Sequence, residues 1–461
     1  MEKELFNFSD FLSNIAIKSD KGEEMTYEQL QNDANKIKNS LNQGRLAFCL
    51  CSNTIASIVG YVAFVQGKVA TVLLDAEKDQ ELLENLRRVY HPNYVWAPIG
   101  KVKGEEMCEY KGYALYKCSD IEIPINPNLS LLLTTSGSTG SPKLVRLTQK
   151  NLRSNADSIA EYLNITSTER PVTSLPMYYS FGMSVINSHF VKGATLLLTD
   201  KNVFQKDFWE FLKQEHATSI AGVPYTYEML KRLRFFKMDL PDLKTMIQAG
   251  GKLNAAIAKE YIEFSMENGK VFIVMYGQTE ASPRMSYLPF TKAQEKYASI
   301  GIAIPRGRFS IRDEKDNEIN SPDIDGELIY MGDNVCMGYA ECTEDLAKGD
   351  ENHGILYTGD IARKDKDGFY YITGRMKRFV KVWGNRINLD AIEQMTKPII
   401  EDCACIGSDD HVQIFITDGS KKDEVQEYLA EKMKLNYRAF TVKVVPDIPK
   451  KVSGKVDYSK L

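Results

Sequence analysis

The sequence predicts an α/β protein: a large N-terminal domain of layered α/β subdomains with a β-rich subdomain, followed by a small α+β domain at the C-terminus. Three observations predict it. The length of 461 residues exceeds what one small hydrophobic core serves. Short apolar runs alternate with amphipathic stretches over most of the first ~300 residues, the pattern of helices layered on sheets. The pattern then changes twice, near Ser299 and again near Arg375.

In chain order, the predicted strands are "RLAFCLC" (45–51), "ATVLL" (70–74), "SLLLTT" (130–135), "ATLLLTD" (194–200), "TSIAGVP" (218–224), "KTMIQAGG" (244–251) and "VFIVMYG" (271–277). The most apolar stretch, Ile58 to Leu74, is interrupted by Gln66, Gly67 and Lys68, well short of the ~20 apolar residues that span a bilayer. It predicts a buried helix followed by a strand. From Ser299 to Tyr371, short alternating runs such as "GELIYMG" and "GFYYITG", with turn pairs Asp325-Gly326 and Asp367-Gly368, predict the β-rich subdomain. Beyond Arg375 come basic "RMKRFVKVWGNR", a helix near Asp390 to Met395, the strand "VQIFITD", a helix from Lys422 to Lys434, and "FTVKVVPDIP". The expected domains are therefore 1–375 and 376–461.

Composition narrows the function classes. Hydrophobic content of 43%, charged content of 26% and a net charge of −4 describe a globular chain with no general attraction to nucleic acid or anionic membrane. Any bound anion must be held by a local site. The start "MEKELFNFSDFL" lacks the basic end and apolar run of a secretory signal, so a cytoplasmic location is expected. The eight cysteines form no C-x-x-C and have no histidine at zinc spacing, so reduced thiols are expected and no metal cluster.

"TTSGSTGSPKLV" (134–145) follows an apolar strand and concentrates hydroxyls, glycines and a lysine. Thr135, Ser136, Ser138 and Thr139 offer hydroxyls, Gly137 and Gly140 allow close backbone approach, and Lys143 brings a point charge. That is a chemistry for holding a polyphosphate. The spacing is not G-x-x-x-x-G-K-[ST], which disfavours a Walker-type kinase or ATPase. Downstream lie "QAGGKL" (248–253), "MYGQTE" (275–280), "YTGDIARKDKDGFYYITGRMKRFVKVWGNRINLDAIE" (357–393) and the terminal "PKKVSGKVDYSKL" (449–461). A carboxylate at a strand end, as Glu280 would be, suits Mg²⁺ bridging phosphates.

In this order, the segments resemble the motifs of the adenylate-forming superfamily, which includes acyl-CoA synthetases, peptide-synthetase adenylation domains and firefly-type luciferases; "MTYEQL" (25–30) resembles its L-T-Y-x-E-L start. The resemblance implies roles. Thr135 to Gly140 and Lys143 hold the ATP triphosphate, Gly250 and Gly251 pack beside the adenine, and Tyr276 lines the adenine site. Thr279 contacts the α-phosphate, Glu280 helps hold Mg²⁺, and Asp360 accepts from the ribose hydroxyls with help from Arg375. Lys377 falls at the hinge of a small domain that is mobile in the family. Lys455 steadies the reacting carboxylate and α-phosphate during adenylation, whereas Lys381 and Gly384 face the cleft for the thiol half-reaction. The implied reaction joins a small carboxylic acid to ATP and then passes the acyl group to a thiol. Coenzyme A is the expected acceptor and an acyl carrier protein the alternative; a catalytically silent nucleotide-binding regulator is disfavoured by Glu280, Asp360, Arg375 and Lys455.

Two positions depart from the pattern. Tyr179, in "LPMYYSFGMS" (175–184), stands where many acyl-CoA synthetases have a P-L-x-H histidine, and it brings no positive charge. Gly182 stands where amino-acid-activating relatives carry an aspartate for the substrate ammonium, which disfavours an amino-acid substrate. Tyr179, Phe181, Tyr225 and Tyr276 flank the expected acyl pocket and suit an aryl or medium acyl acid as well as plain packing. His189 is expected to be a core histidine.

Overall fold

Apolar runs bounded by turns become strands, and the central ones pair in parallel with helices as crossovers. The computed structural model describes residues 3–77, 80–134, 143–382, 385–408, 411–433, 435–450 and 456–461. The chain forms two units, one of Met1–Tyr297, Gly301–Arg308 and Tyr330–Leu356, the other of Ala298–Ile300, Phe309–Ile329 and Tyr357–Leu461.

Two large sheets build the first unit. One runs in the order Gly338–Ala340, Leu144–Thr148, Leu129–Thr134, Ala70–Asp75, Leu46–Cys51, Tyr94–Pro98, Tyr113–Lys117, Glu105–Tyr110. Its middle is parallel and both margins are antiparallel. The period of two along Leu46–Cys51 divides its side chains between two cores: Ala47, Cys49 and Cys51 on one face, Leu46, Phe48 and Leu50 on the other. The helix Ile55–Gln66 is apolar on every side and buried from Ile55 to Val65, as a helix enclosed between layers must be. Ile17, Leu196 and Leu198 of the second sheet share its core with Leu131 and Leu133 of the first. The predicted buried helix and following strand are thus Ile55–Gln66 and Ala70–Asp75.

The second sheet is ordered Ile302–Ala303, Arg284–Tyr287, Val271–Gly277, Thr245–Gln248, Ser219–Gly222, Pro171–Val172, Leu196–Leu198, Ile15–Ser19, Glu24–Thr26. From Val271–Gly277 to Ile15–Ser19 all pairings are parallel. Parallel pairing puts the carboxyl ends of these strands along one edge. The strands expected for a β-rich region are shared out: Gly338–Ala340 and Ile302–Ala303 complete the margins of the two large sheets.

Arg308–Arg312, Gly326–Met331, Ile355–Lys364 and Tyr370–Arg375 form a four-stranded sheet, most of whose residues belong to the second unit. Beyond it, Phe379–Val382 pairs antiparallel with Asn385–Asn388, and the helix Leu389–Thr396 follows. Cys403–Ser408, His411–Ile416 and Phe440–Val444 make a further sheet, whose parallel pair is joined through the helix Lys422–Met433. Val412, Ile414, Val425, Leu429 and Val442 bury together as its core. No helix among the described residues is long and apolar enough to cross a membrane, and all eight cysteines are free thiols.

Candidate active site

Four segments leave the carboxyl ends of neighbouring parallel strands in the first unit: 173–179 after Pro171–Val172, 223–224 after Ser219–Gly222, 249–251 after Thr245–Gln248, and 278–281 after Val271–Gly277. Ligand-binding loops of open α/β sheets collect at such an edge. The Thr279 and Ser180 hydroxyls lie 3.1 Å apart, which ties the short turn Thr279–Ala281 to the first residue of the helix Ser180–Phe190. Tyr179 caps that helix and reaches the glycine turn: a Cβ added to Gly250 would stand 2.7 Å from the Tyr179 hydroxyl, at φ +86°. Position 250 therefore demands glycine for both space and conformation. Gln248, fully buried, donates from its amide to the Gly251 carbonyl at 3.0 Å and braces the turn from inside. Tyr276 is half-buried near the end of its strand, with the Gln278 amide 3.5 Å from its hydroxyl.

Glu280 is held on two sides. Its Oε1 accepts from the Tyr339 hydroxyl at 2.8 Å, and its backbone carbonyl accepts from the Cys336 amide at 2.8 Å. Burial, together with the Glu280 carboxylate, pushes the Tyr339 phenol up, so it stays a donor. Lys143 crosses the other side of that ring, Nζ 3.8 Å from the centroid and 3.5 Å from Glu341 Oε1. Tyr339 thus brings together Glu280 and the lysine of the hydroxyl-rich loop. The hairpin bearing the loop is pinned at its base by the pairs Thr134↔Leu144 and Leu133↔Val145. Arg146, wholly buried, fastens it further, donating to the carbonyls of Tyr339 at 3.0 Å, Met337 at 3.1 Å and Lys348 at 2.6 Å, and to the Glu351 carboxylate at 2.5 Å.

Gly182 has a packing role: a Cβ there would stand 2.2 Å from the Pro176 carbonyl oxygen, because the helix rests on the 175–176 backbone. An aspartate does not fit at this position. Of the four expected pocket aromatics, Phe181 is buried against Val223, Ile247 and Met275, Tyr179 packs at the margin of that cluster, and Tyr225 is exposed. His189 is buried, its Nδ1 2.7 Å from the Val185 carbonyl, as expected of a core histidine.

In the second unit, Asp360 and Arg375 are cross-strand partners, with Arg375 Nε donating to Asp360 Oδ1 at 3.1 Å. Lys377 lies in the turn Met376–Arg378 and Lys381 in the strand Phe379–Val382, in register with Arg386. Arg378, part of the same basic run, is engaged by Asp390 at 2.5 Å and Glu393 at 2.6 Å and stacks over Tyr458. Thr135, Ser136, Gly137, Ser138, Thr139, Gly140, Gly384 and Lys455 lie outside the described residues.

Sequence reasoning missed Ser180 and Tyr339. Tyr339 lies in "CMGYAE", and its hydrogen bond joins segments 59 residues apart, beyond any local pattern.

Among the described residues no cluster of three or more His, Cys, Asp or Glu could cage a metal. One oriented carboxylate, Glu280, with hydroxyls beside it does fit Mg²⁺, which keeps most of its waters and binds through one or two carboxylates plus substrate phosphates.

A family model described as AMP-binding enzyme matches residues 9–340. A feruloyl-CoA synthase of an Amycolatopsis species is 27% identical over 354 residues, 73% of this chain and 70% of that protein. A long-chain-fatty-acid–CoA ligase of Escherichia coli O157:H7 is 28% identical over 366 residues, 75% of this chain and 63% of the ligase. Among solved structures, the O-succinylbenzoate coenzyme A synthetase of Bacillus subtilis, in complex with AMP, superposes with a TM-score of 0.79 at 19% identity, covering 97% of this chain and 95% of its own. ATP-bound MatB of Rhodopseudomonas palustris gives 0.79 at 20% identity, covering 99% and 96%.

Proposed function

The chain belongs to the AMP-binding enzyme family, and from that premise we propose that it activates a small carboxylic acid with ATP and transfers the acyl group to the thiol of coenzyme A. It is an adenylate-forming ligase by family. The observation that carries the finer reading is the Thr279–Ser180 contact, which sets a phosphate-reading turn against the helix bearing Tyr179 and Phe181. Nucleotide-side and acyl-side residues then meet at one strand edge.

In the first half-reaction a carboxylate oxygen attacks the α-phosphorus; the bond from that phosphorus to the bridging oxygen breaks, and pyrophosphate leaves with the electron pair. The Thr279 hydroxyl donates to the α-phosphate, and the segment from Thr135 to Lys143 holds the β- and γ-phosphates. Glu280, turned by Tyr339, would hold Mg²⁺, whose charge offsets that of the phosphates when bound. Positioning and charge neutralisation supply most of the rate in such transfers, so no protein nucleophile is required. Asp360 takes the ribose hydroxyls, and Lys455 stabilises the developing charge. In the second half-reaction the thiolate sulfur attacks the acyl carbon, the carbon–oxygen bond to the phosphate breaks, and AMP departs; Lys381 and Gly384 serve this step.

Coenzyme A as acceptor is supported by the names of the curated relatives, a feruloyl-CoA synthase and a long-chain-fatty-acid–CoA ligase. The test is acid-dependent ATP–pyrophosphate exchange over a panel of carboxylic acids, followed by acyl transfer to coenzyme A or to a phosphopantetheinylated carrier protein. Exchange with thioester formation on coenzyme A is expected. Transfer to carrier protein alone replaces the acceptor, and exchange with no acid removes the adenylation reading.

A further inference from the structure

The helix Ser180–Phe190 carries serines at positions 180, 184 and 188, four residues apart and so on one face. Two of them are satisfied inside the helix. The Ser184 hydroxyl donates to the Phe181 carbonyl at 2.7 Å, and the Ser188 hydroxyl to the Val185 carbonyl at 3.2 Å. Ser180 opens the helix, so the carbonyl that would serve it in the same way belongs to Met177, outside the helix. Its hydroxyl has one partner among the described residues, the Thr279 hydroxyl at 3.1 Å.

Burial gives that bond a direction. Ser180 is 5% exposed, whereas Thr279 is half-buried. A buried O–H without an acceptor forfeits its solvation and gains nothing in return. Were Thr279 the donor, the Ser180 proton would be left in that state. With Ser180 as donor, the proton left over is that of Thr279, on the more open of the two residues. A hydroxyl that accepts one hydrogen bond is held in rotation, and its own proton is polarised into a better donor. The turn beneath it is fixed as well: the Ala281 amide donates to the Gln278 carbonyl at 2.9 Å, and the Ala281 carbonyl accepts from the Asn334 side-chain amide at 2.6 Å.

We propose that Ser180 is a positioning residue for adenylation: its O–H holds the Thr279 hydroxyl as a donor to the α-phosphate while negative charge gathers there. The proposal rests on the adenylation reading above, in which Thr279 meets the phosphate, and adds the group that directs its proton. Ser180 itself touches no reacting atom. Because a fixed donor matters most where charge develops, its loss falls on kcat rather than on the KM for ATP.

Acid-dependent ATP–pyrophosphate exchange with the full chain tests this through a double-mutant cycle. Ser180→Ala is expected to lower kcat about 10-fold, with the KM for ATP within about 2-fold of the wild type. In a Thr279→Val background, which has no hydroxyl to direct, the same change is expected to cost nothing further. Ser180→Gly removes the hydroxyl without adding an atom and is expected to match the alanine variant, and thermal melts of each variant separate lost activity from lost folding. Three results each overturn the inference and leave adenylation standing: kcat unchanged in both Ser180 variants, a loss confined to the KM for ATP, or an equal loss with and without the Thr279 hydroxyl. Exchange with no acid in the wild type overturns both.

Discussion

A single phenol decides how Glu280 presents its carboxylate. Tyr339→Phe removes the 2.8 Å hydrogen bond and leaves Lys143 its ring to rest on, so the carboxylate turns while the packing stays. Hydrogen bonds to charged groups contribute about 1.5–3 kcal/mol. The variant is expected to lose ~10-fold in exchange activity and to require more Mg²⁺ for half-maximal rate; an unchanged Mg²⁺ titration would remove the positioning role. His189 supplies a pH-dependent prediction. Its folded value of about 4 lies below the ordinary 6.5, so between the two the unfolded chain binds the extra proton. The stability from keeping the ring neutral is fully present above pH 6.5 and is lost as the pH falls toward 4, by about 3 kcal/mol in all. Urea midpoints between pH 4 and 6.5 should fall less steeply for His189→Asn than for the wild type. At this scale the sequence is legible where chemistry is concentrated in one run. "MYGQTE" exposed Thr279 and Glu280, whereas Tyr339 acquires meaning only through a contact that the fold creates.

Elements were easier to foresee than their neighbours. "VFIVMYG" is the strand Val271–Gly277 to the residue, because an apolar run between a turn and a glycine admits one reading. "ATLLLTD" was expected over 194–200 but forms a strand only over Leu196–Leu198, where its pairs with Ile15–Ser19 and Pro171–Val172 exist. Pairing partners, unlike periodicity, are not local. The helix Ser180–Phe190 shows how a neighbour reverses a propensity. Alanine is favoured over glycine inside a helix by about 1 kcal/mol. At position 182 the added methyl would stand 2.2 Å from the Pro176 carbonyl, and backbone cannot yield cheaply. Gly182→Ala is therefore expected to destabilise by ~1–3 kcal/mol in denaturant melts; a gain in stability would show that the helix can lift off the 175–176 segment.

For the molecule as a whole, the order of motifs from the hydroxyl-rich loop to the terminal lysine made the family and the α/β class readable. Which acid is activated was not, since Tyr179 and Phe181 acquire their neighbours Val223, Ile247 and Met275 only when separate elements pack together. The two half-reactions give a prediction at this scale. Lys455→Ala is expected to cut adenylation by ~10²-fold or more, the effect of losing one transition-state stabilising group. The same variant should still convert a synthetic acyl-adenylate to thioester at the wild-type rate; equal damage to both steps would assign the lysine a structural role. Arg146 leads to something different. By joining the hairpin Leu129–Thr134/Leu144–Thr148 to the carbonyls of 337, 339 and 348, it makes two stretches almost 200 residues apart one mechanical piece. Recombination between family members should respect that piece. A hybrid that exchanges 129–148 together with 336–352 keeps its own clamp, while a crossover that separates them pairs a foreign arginine with unfamiliar carbonyls and unseats the tyrosine behind the carboxylate.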